Sequence, residues 1–196
     1  MSSNLDALIA TSIQESIKIK QSLLEDRHLL GQIASVVKEF VAALSHGHKV
    51  LLFGNGGSAA DAQHIAAEFV GRFQIERTPL PALALTVNTS ALTGIGNDYA
   101  FENVFSRQVE ALGRPGEVAV GISTSGKSPN VLKGLATAKA KGLVTVALTG
   151  KFGNMLQEVS QYCLCVPSDQ TPRIQESHIL IGHIISQLTE MELFAK

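Results

Sequence analysis

Hydrophobic positions along the chain recur first with a helical period and later in short runs of strand length. Over residues 5–24 and again over residues 29–45, apolar side chains return every three or four positions, which predicts two amphipathic helices. After these helices, five apolar runs alternate with helical stretches, and we predict strands over residues 50–53, 82–87, 118–122, 144–148 and 163–166. This alternation is typical of a parallel sheet covered by helices, which binds ligands at the carboxyl ends of its strands.

The stretches between the strands predict the helices of the two outer layers. We expect helices over residues 58–73, 103–112, 130–141 and 172–194, and a short one from Ser90 that the glycines of residues 94–98 interrupt. The two N-terminal helices exceed what one sheet face needs. They either cover the sheet or pack against other subunits.

Composition and charge exclude several classes of protein. The 196 residues are 45% hydrophobic and 17% charged, with a formal net charge of −1, as in a globular α/β protein. No basic surplus favours nucleic acid or an anionic membrane. No apolar run approaches the ~20 residues that span a bilayer, and the first residues lack the features of a signal peptide. We therefore expect neither a nucleic-acid nor a membrane partner.

The two cysteines, Cys163 and Cys165, lie two apart on a predicted strand. Such residues point the same way but are ~6–7 Å apart along the strand, a poor geometry for a disulfide. Two buried thiols in a reducing compartment are the expected state, which predicts a cytoplasmic protein.

A glycine turn after the first strand predicts a site for a polar ligand. In Gly54-Asn-Gly-Gly57 the glycines permit a sharp turn from strand to helix and a close approach of a ligand to the backbone. Ser58 follows as a good N-cap. On the helix that it begins, His64 and Glu68 are four apart and share a face.

A second loop between strand and helix, Ser123-Thr-Ser-Gly-Lys-Ser128, is typical of anion binding. Its four hydroxyls and free backbone N–H groups could wrap a phosphate without a fixed positive charge. The spacing of a P-loop is missing, so a nucleoside triphosphate is not favoured. An ordinary serine-rich loop that caps a helix is the alternative.

Two further stretches carry candidate polar residues. Gln175 and His183 are eight apart on the last helix, about 80° around its axis, so that both could face one cleft. Spacing alone cannot join them to His64 and Glu68, and a histidine on an apolar helix is otherwise a satisfied core residue. Asn97-Asp98 forms either a plain turn or a contact for sugar hydroxyls.

Taken together, these stretches resemble the SIS (sugar isomerase) domain family, and within it the phosphoheptose isomerases, over almost the whole chain. The resemblance rests on residues 54–68, 96–98, 105–108, 121–128 and 173–183. It implies a three-layer, doubly wound five-stranded parallel sheet with two extra N-terminal helices. The whole chain would be a single SIS domain, with residues 1–46 as a helical extension and residues 47–196 as the α/β core.

The resemblance also implies an activity: a cytoplasmic homotetramer that converts sedoheptulose 7-phosphate into D-glycero-D-manno-heptose 7-phosphate. This is the first step towards the ADP-heptose of the lipopolysaccharide core. The positions that match the family's substrate-binding residues are Asn55, Gly56, Gly57, Ser58, Glu68, Asn97, Asp98, Ser123, Thr124, Ser125, Ser128 and Gln175. Glu68 and His183 match its acid/base pair. The positions that match its ligands for one zinc ion per subunit are His64, Glu68, Gln175 and His183.

The chemistry of a ketose–aldose isomerisation suits these residue types. The reaction moves a proton between C1 and C2 through an enediol and needs a base, an acid and stabilisation of a developing oxyanion. Gln is an unusual ligand for zinc. Some relatives carry Asp where this chain has Pro172, so a polar role there is not transferred.

Two other functions compete with this interpretation. One is a non-catalytic SIS protein that binds a partner, like the relatives that bind the bacterial replication initiator, but those lack the Glu and the second His of the quartet. The other is a different sugar-phosphate enzyme, such as an arabinose-5-phosphate or amino-sugar isomerase, which usually carries other catalytic residues.

Overall fold

Five parallel strands form the middle layer of the protein, and helices cover both faces. The computed structural model describes residues 2–195. The strands are Val50–Gly54 (β1), Ala82–Ala84 (β2), Val118–Ser123 (β3), Val144–Thr149 (β4) and Tyr162–Cys165 (β5). The helices are Ser2–Glu25 (α1), Arg27–Ser45 (α2), Gly57–Val70 (α3), Thr89–Tyr99 (α4), Val104–Leu112 (α5), Pro129–Ala140 (α6), Asn154–Val159 (α7) and Thr171–Phe194 (α8), with a 3₁₀ turn, Phe101–Asn103, before α5.

The strand order is β2-β1-β3-β4-β5, so the direction of winding reverses between β1 and β3. Every residue of β1 and β3 is buried, as expected for central strands with both faces covered. In a doubly wound sheet, the loops that follow the two strands at this reversal diverge and leave a crevice at the carboxyl edge. The glycine turn and the serine loop are these two loops.

Two hydrophobic clusters fill the space between the sheet and its helices. Leu52 of β1 packs with buried residues of α2, α3 and α8. Leu51 and Phe53 point to the other face and pack with α5, α6 and α7. The alternation of neighbouring β1 residues between the two clusters follows from the two-residue period of a strand.

The predicted fold class is confirmed, and most helices and strands lie where the sequence predicts them. Several details differ. The glycines of residues 94–98 do not interrupt a helix, because α4 continues to Tyr99. The second strand ends at Ala84 rather than at residue 87, and α3 ends at Val70 rather than at residue 73. The N-cap of α3 is Gly56 rather than Ser58, which lies buried in the first turn. The short helix α7 has no counterpart in the prediction.

The cysteines agree with the expected absence of a disulfide, since both are free. Cys163 is buried, but Cys165 is only partly so. In residues 2–195 we find no helix with the length and apolar character needed to cross a membrane.

The outer face of α1 is apolar and uncovered. Its side chains Leu5, Leu8, Ile9, Ile13 and Ile17 are between 51% and 60% exposed. The first helix therefore does not cover the sheet with this face.

Candidate active site

The crevice between β1 and β3 begins with a glycine turn that brings two loops together. A Cβ atom on Gly54 would lie 2.8 Å from the carbonyl oxygen of Ile122 in the neighbouring strand. Gly56 has a φ of +54°, which side chains rarely adopt. Both glycines are therefore required by the backbone, and they place the start of α3 at the mouth of the crevice.

A pair of amide side chains joins the two loops across the crevice. Asn55 donates from Nδ2 to Oδ1 of Asn130 at 2.9 Å, and Asn130 returns the same bond at 2.9 Å. Asn130 is buried on the first turn of α6. It fixes the end of the serine loop against the glycine turn. Asn130 was not predicted from the sequence, because its partner is distant along the chain.

The hydroxyl groups of the serine loop form a cluster, as a phosphate site requires. Ser123 Oγ lies 2.9 Å from Ser128 Oγ and 3.5 Å from Ser125 Oγ. Ser125 also accepts a hydrogen bond from the backbone N–H of Lys127 at 3.2 Å. Thr124, Ser125 and Lys127 line a cavity of about 190 Å³ that extends to Ser168.

Three of the predicted quartet meet on the surface between α3 and α8. His64 Nε2 lies 2.9 Å from Glu68 Oε1 and 3.1 Å from His183 Nε2. Glu68 Oε1 and His183 Nε2 are 4.0 Å apart. One potential ligand atom of each residue lies within 4.8 Å of the other two. Imidazole nitrogen and carboxylate oxygen are common zinc ligands, so this trio fits a bound metal ion.

Gln175, the fourth member, lies at the first turn of α3. A Cβ atom on Gly57 would come 2.3 Å from Gln175 Nε2, so the amide rests directly on the backbone of Gly57. Two turns further along α8, His183 reaches His64. The two helices therefore run side by side in the same direction, with Gln175 at the crevice and His183 beside the trio.

The close approach of α8 to α3 depends on Gly182. A Cβ atom there would lie 2.5 Å from the Cδ1 atom of Ile65, which is itself buried. The neighbouring residue, His183, is thereby held within reach of the α3 side chains.

A loop after α3 supports His183 from a second side. The ring of Phe73 stacks on the imidazole of His183, with ring centroids 5.6 Å apart. Glu190 on α8 holds this loop by accepting hydrogen bonds from the backbone N–H groups of Phe73, Gln74 and Ile75 at 2.7 to 3.1 Å.

A buried ion pair completes this support. Arg77 Nε donates to Glu190 Oε1 at 2.9 Å, and both side chains are 1% exposed. Although desolvation opposes ionisation, the backbone N–H donors and Arg77 hold the pKa of Glu190 below its ordinary value. Phe73, Arg77 and Glu190 were not predicted from the sequence, because nothing local links residue 190 to residues 73–77.

A further carboxyl group, Asp61, lies one turn before His64 on α3. Burial raises the pKa of Asp61, and the nearby His64 opposes that rise.

Asn97 and Asp98 lie on the exposed side of α4 rather than in a turn. Asn97 Nδ2 donates to Asp98 Oδ1 at 2.9 Å. This hydrogen bond joins Asn97 and Asp98 to each other. Among the described side-chain hydrogen bonds, none joins either residue to His64, Glu68 or His183.

Comparison with known proteins gives consistent relatives over the full length. A model described as the SIS domain matches residues 13–150. Phosphoheptose isomerase of Aneurinibacillus thermoaerophilus is 53% identical over 95% of this chain and 94% of its own. Phosphoheptose isomerase 2 of Campylobacter jejuni is 51% identical over 98% of this chain and 96% of its own.

Solved structures give the same result. The phosphoheptose isomerase of Neisseria gonorrhoeae superposes with a TM-score of 0.88 at 43% identity and covers 95% of this chain and 98% of its own. The phosphoheptose isomerase of Francisella tularensis superposes with a TM-score of 0.90 at 37% identity, and the match covers 96% of this chain and 98% of that chain.

Proposed function

This chain belongs to the phosphoheptose isomerases of the SIS domain family, and from this premise we propose that it converts sedoheptulose 7-phosphate into D-glycero-D-manno-heptose 7-phosphate, with Glu68 as base and His183 as acid. The observation that carries the proposal is the distance of 4.0 Å between Glu68 Oε1 and His183 Nε2. A base and an acid this close together can act from the same side of an open-chain sugar, the base on a carbon and the acid on the oxygen of the neighbouring carbon.

The two side chains divide the proton transfers between carbon and oxygen. Glu68 takes the proton from C1 of the ketose and later delivers it to C2. His183 donates a proton to the carbonyl oxygen on C2, which completes the enediol, and then takes the proton from the oxygen on C1 as the aldehyde forms. Glu68 returns the proton that it took, and His183 regains a proton in place of the one that it donated. Both side chains therefore end in their starting protonation state.

The phosphate of the substrate binds to the serine loop. Ser123, Thr124, Ser125 and Ser128 offer hydroxyl donors, and α6 begins directly after them, with Pro129 at its first turn. A helix N-terminus adds unpaired N–H groups and a partial positive charge. We assign Asn55, Gly56, Gly57, Ser58 and Gln175 to the sugar hydroxyls, because the glycine turn and Ser58 begin α3 and the amide of Gln175 rests on Gly57. We also assign Asn97 and Asp98, on α4, to the sugar.

One zinc ion per subunit would be held by His64, Glu68 and His183, with Gln175 as a further ligand. Bound there, zinc would polarise the carbonyl and stabilise the negative charge that develops on its oxygen. Phe73 and Gly182 keep His183 in the position that either role needs.

The assembly that we infer is a homotetramer in the cytoplasm. Five apolar side chains of α1 that are more than half exposed support contacts between subunits, because large uncovered apolar surfaces usually mark such contacts. Two free cysteines are consistent with a reducing compartment.

The role of Glu68 is tested by Glu68→Gln, which keeps the shape of the side chain but removes the base. Turnover of sedoheptulose 7-phosphate should fall by about 10²–10⁴-fold, the usual contribution of a general base, while binding of the substrate measured by calorimetry persists. Gln63→Glu, a change on an exposed position of the same helix, serves as the control and should retain turnover. Near-normal turnover of Glu68→Gln would show that another group is the base.

The metal is tested separately, by stripping the purified protein with a chelator and then adding zinc. Recovery of turnover on addition of zinc is the expected result. If turnover does not depend on the metal, the isomerase activity would still stand, and His64, Glu68 and His183 would have acid/base and substrate-binding roles only. A folded protein that stays inactive towards this substrate under both conditions would refute the proposed substrate.

A further inference from the structure

The two cysteines of β5 are much closer together than their positions in the strand require. β5 is an edge strand, with β4 as its neighbour. Residues two apart on a strand are ~6–7 Å apart along its axis, yet the sulfur atoms of Cys163 and Cys165 are 3.7 Å apart. Both are free thiols. Their side chains therefore converge on one point beside the edge of the sheet.

A cavity of about 340 Å³ lies at that point. It is formed by the start of α2, the end of α7 and the outer side of β5. Besides the two cysteines, its lining consists of Asp26, His28, Leu29, Gln32, Gln157, Ser160 and Gln161. None of these residues belongs to the site between α3 and α8, so the cysteine cavity is a separate feature.

The separation of the sulfur atoms suits a shared metal ion. With metal–sulfur bonds of ~2.3 Å, as in zinc sites, a distance of 3.7 Å between two sulfurs corresponds to an S–metal–S angle of about 107°, close to the tetrahedral angle. We propose that Cys163 and Cys165 bind one thiophilic d¹⁰ metal ion of the zinc and cadmium class in this cavity, at a site distinct from the catalytic centre.

The protonation state of the pair favours this binding. The hydrogen bond from Cys163 lowers the pKa of Cys165 to about 6, and the same interaction, together with burial, raises the pKa of Cys163. A metal ion binds the thiolate forms, so its binding displaces protons from the pair.

The two thiolates fill half of a tetrahedral shell, and the other positions face the cavity. In residues 2–195, the group of His64, Glu68 and His183 is the one that brings three His, Cys, Asp or Glu ligand atoms within 4.8 Å. The cysteine site thus leaves positions for water. Asp26 and His28 lie on its rim. Soft thiolates favour soft ions, whereas the site between α3 and α8 offers only nitrogen and oxygen.

This difference in ligands allows the two sites to be measured independently. We would titrate the reduced full-length protein with cadmium in the absence of oxygen and record the ultraviolet absorption of thiolate-to-metal charge transfer. The chain contains two cysteines, so the absorption reports on this pair alone. The expected result is a band that saturates at one cadmium ion per chain, accompanied by a release of protons.

Variants assign the band to the cavity. Cys165→Ser, at the less buried position, should abolish saturation at one ion per chain while the isomerase activity stays at the wild-type level. His183→Ala, which removes a ligand of the other site, should leave the band unchanged. The absence of a band in the folded, reduced wild-type protein would overturn the proposal. So would saturation at one ion per two chains, which would indicate a metal shared between molecules.

Discussion

At the scale of single residues, burial decides the protonation of His178. This side chain is fully buried on α8, one turn after Gln175. Desolvation lowers the pKa of His178 to about 4, although the neighbouring backbone of Thr149 opposes the shift. The imidazole is therefore neutral in the folded protein at neutral pH and acts as part of the core rather than as a second catalytic histidine.

A loss of stability in mild acid follows from this shift. In the unfolded chain, His178 binds a proton below pH ~6.5, whereas in the folded protein it does so only near pH 4. The contribution to stability is full above pH ~6.5 and is lost as the pH falls towards 4, so that about 2 kcal/mol is missing at pH 5. Urea unfolding at pH 7.5 and pH 5 would measure this loss. In His178→Gln, the free energy of unfolding should differ less between the two pH values than in the wild-type protein. In the control His46→Gln, at an exposed position, the difference should equal that of the wild-type protein.

Ser125 should affect substrate binding more than catalysis. Its hydroxyl lies at the cavity of the serine loop, in contact with Ser123. Because one hydrogen bond to a charged group is worth about 1.5–3 kcal/mol, Ser125→Ala should raise KM for the sugar phosphate by roughly tenfold or more and change kcat little. Steady-state kinetics measure both constants, with the exposed Ser45→Ala as the control. A fall in kcat alone would contradict the assignment of this loop to the phosphate.

The sequence predicted those site residues whose partners are close along the chain. His64 and Glu68 were expected on one face because they are four apart on a helix. The meeting of His64 with His183, 119 residues away, required the packing of α8 on α3. In the same way, the bonds from residues 73–77 to Glu190 cross 113 to 117 positions, and no periodicity signals such a contact.

At the scale of elements, the alternation of strands and helices was predictable and its interruptions were not. The glycines at positions 94 and 96 predicted a break in α4, yet Asn88 caps this helix by accepting from the backbone N–H of Ala91. A glycine in a helix costs about 1 kcal/mol, which a capped helix with neighbouring contacts tolerates. The helix α7, of six residues, is too short for its apolar period to be recognised.

The packing of α8 on α3 should be sensitive to one methyl group. Gly182→Ala would push a Cβ atom into Ile65, so we expect unfolding to become easier by about 1–3 kcal/mol and turnover to fall as His183 moves away from Glu68. Gly31→Ala is the matched control, since a Cβ atom on this glycine of α2 meets nothing within 4 Å. That variant should gain about 0.5–1 kcal/mol. Chemical denaturation and turnover measure both effects, and equal behaviour of the two variants would contradict the role of Gly182.

At the scale of the whole molecule, the uncovered apolar face of α1 is the surface through which we propose that subunits meet. Ile13 lies in the middle of this face and is 56% exposed. Ile13→Glu should place a charge in the interface between subunits and dissociate the proposed tetramer, which light scattering would detect as a lower mass. Lys18→Glu reverses a charge on the same helix and serves as the control. A mass that Ile13→Glu leaves unchanged would exclude this face as the interface.

The amide pair between Asn55 and Asn130 has a consequence for which sugars the protein selects. It holds the serine loop against the turn that begins α3, so the proposed phosphate site and the proposed base on α3 keep a fixed separation. With the phosphate anchored in the serine loop, a shorter sugar phosphate would present its carbonyl at a different place from that of the heptose, and we expect it to be a poorer substrate.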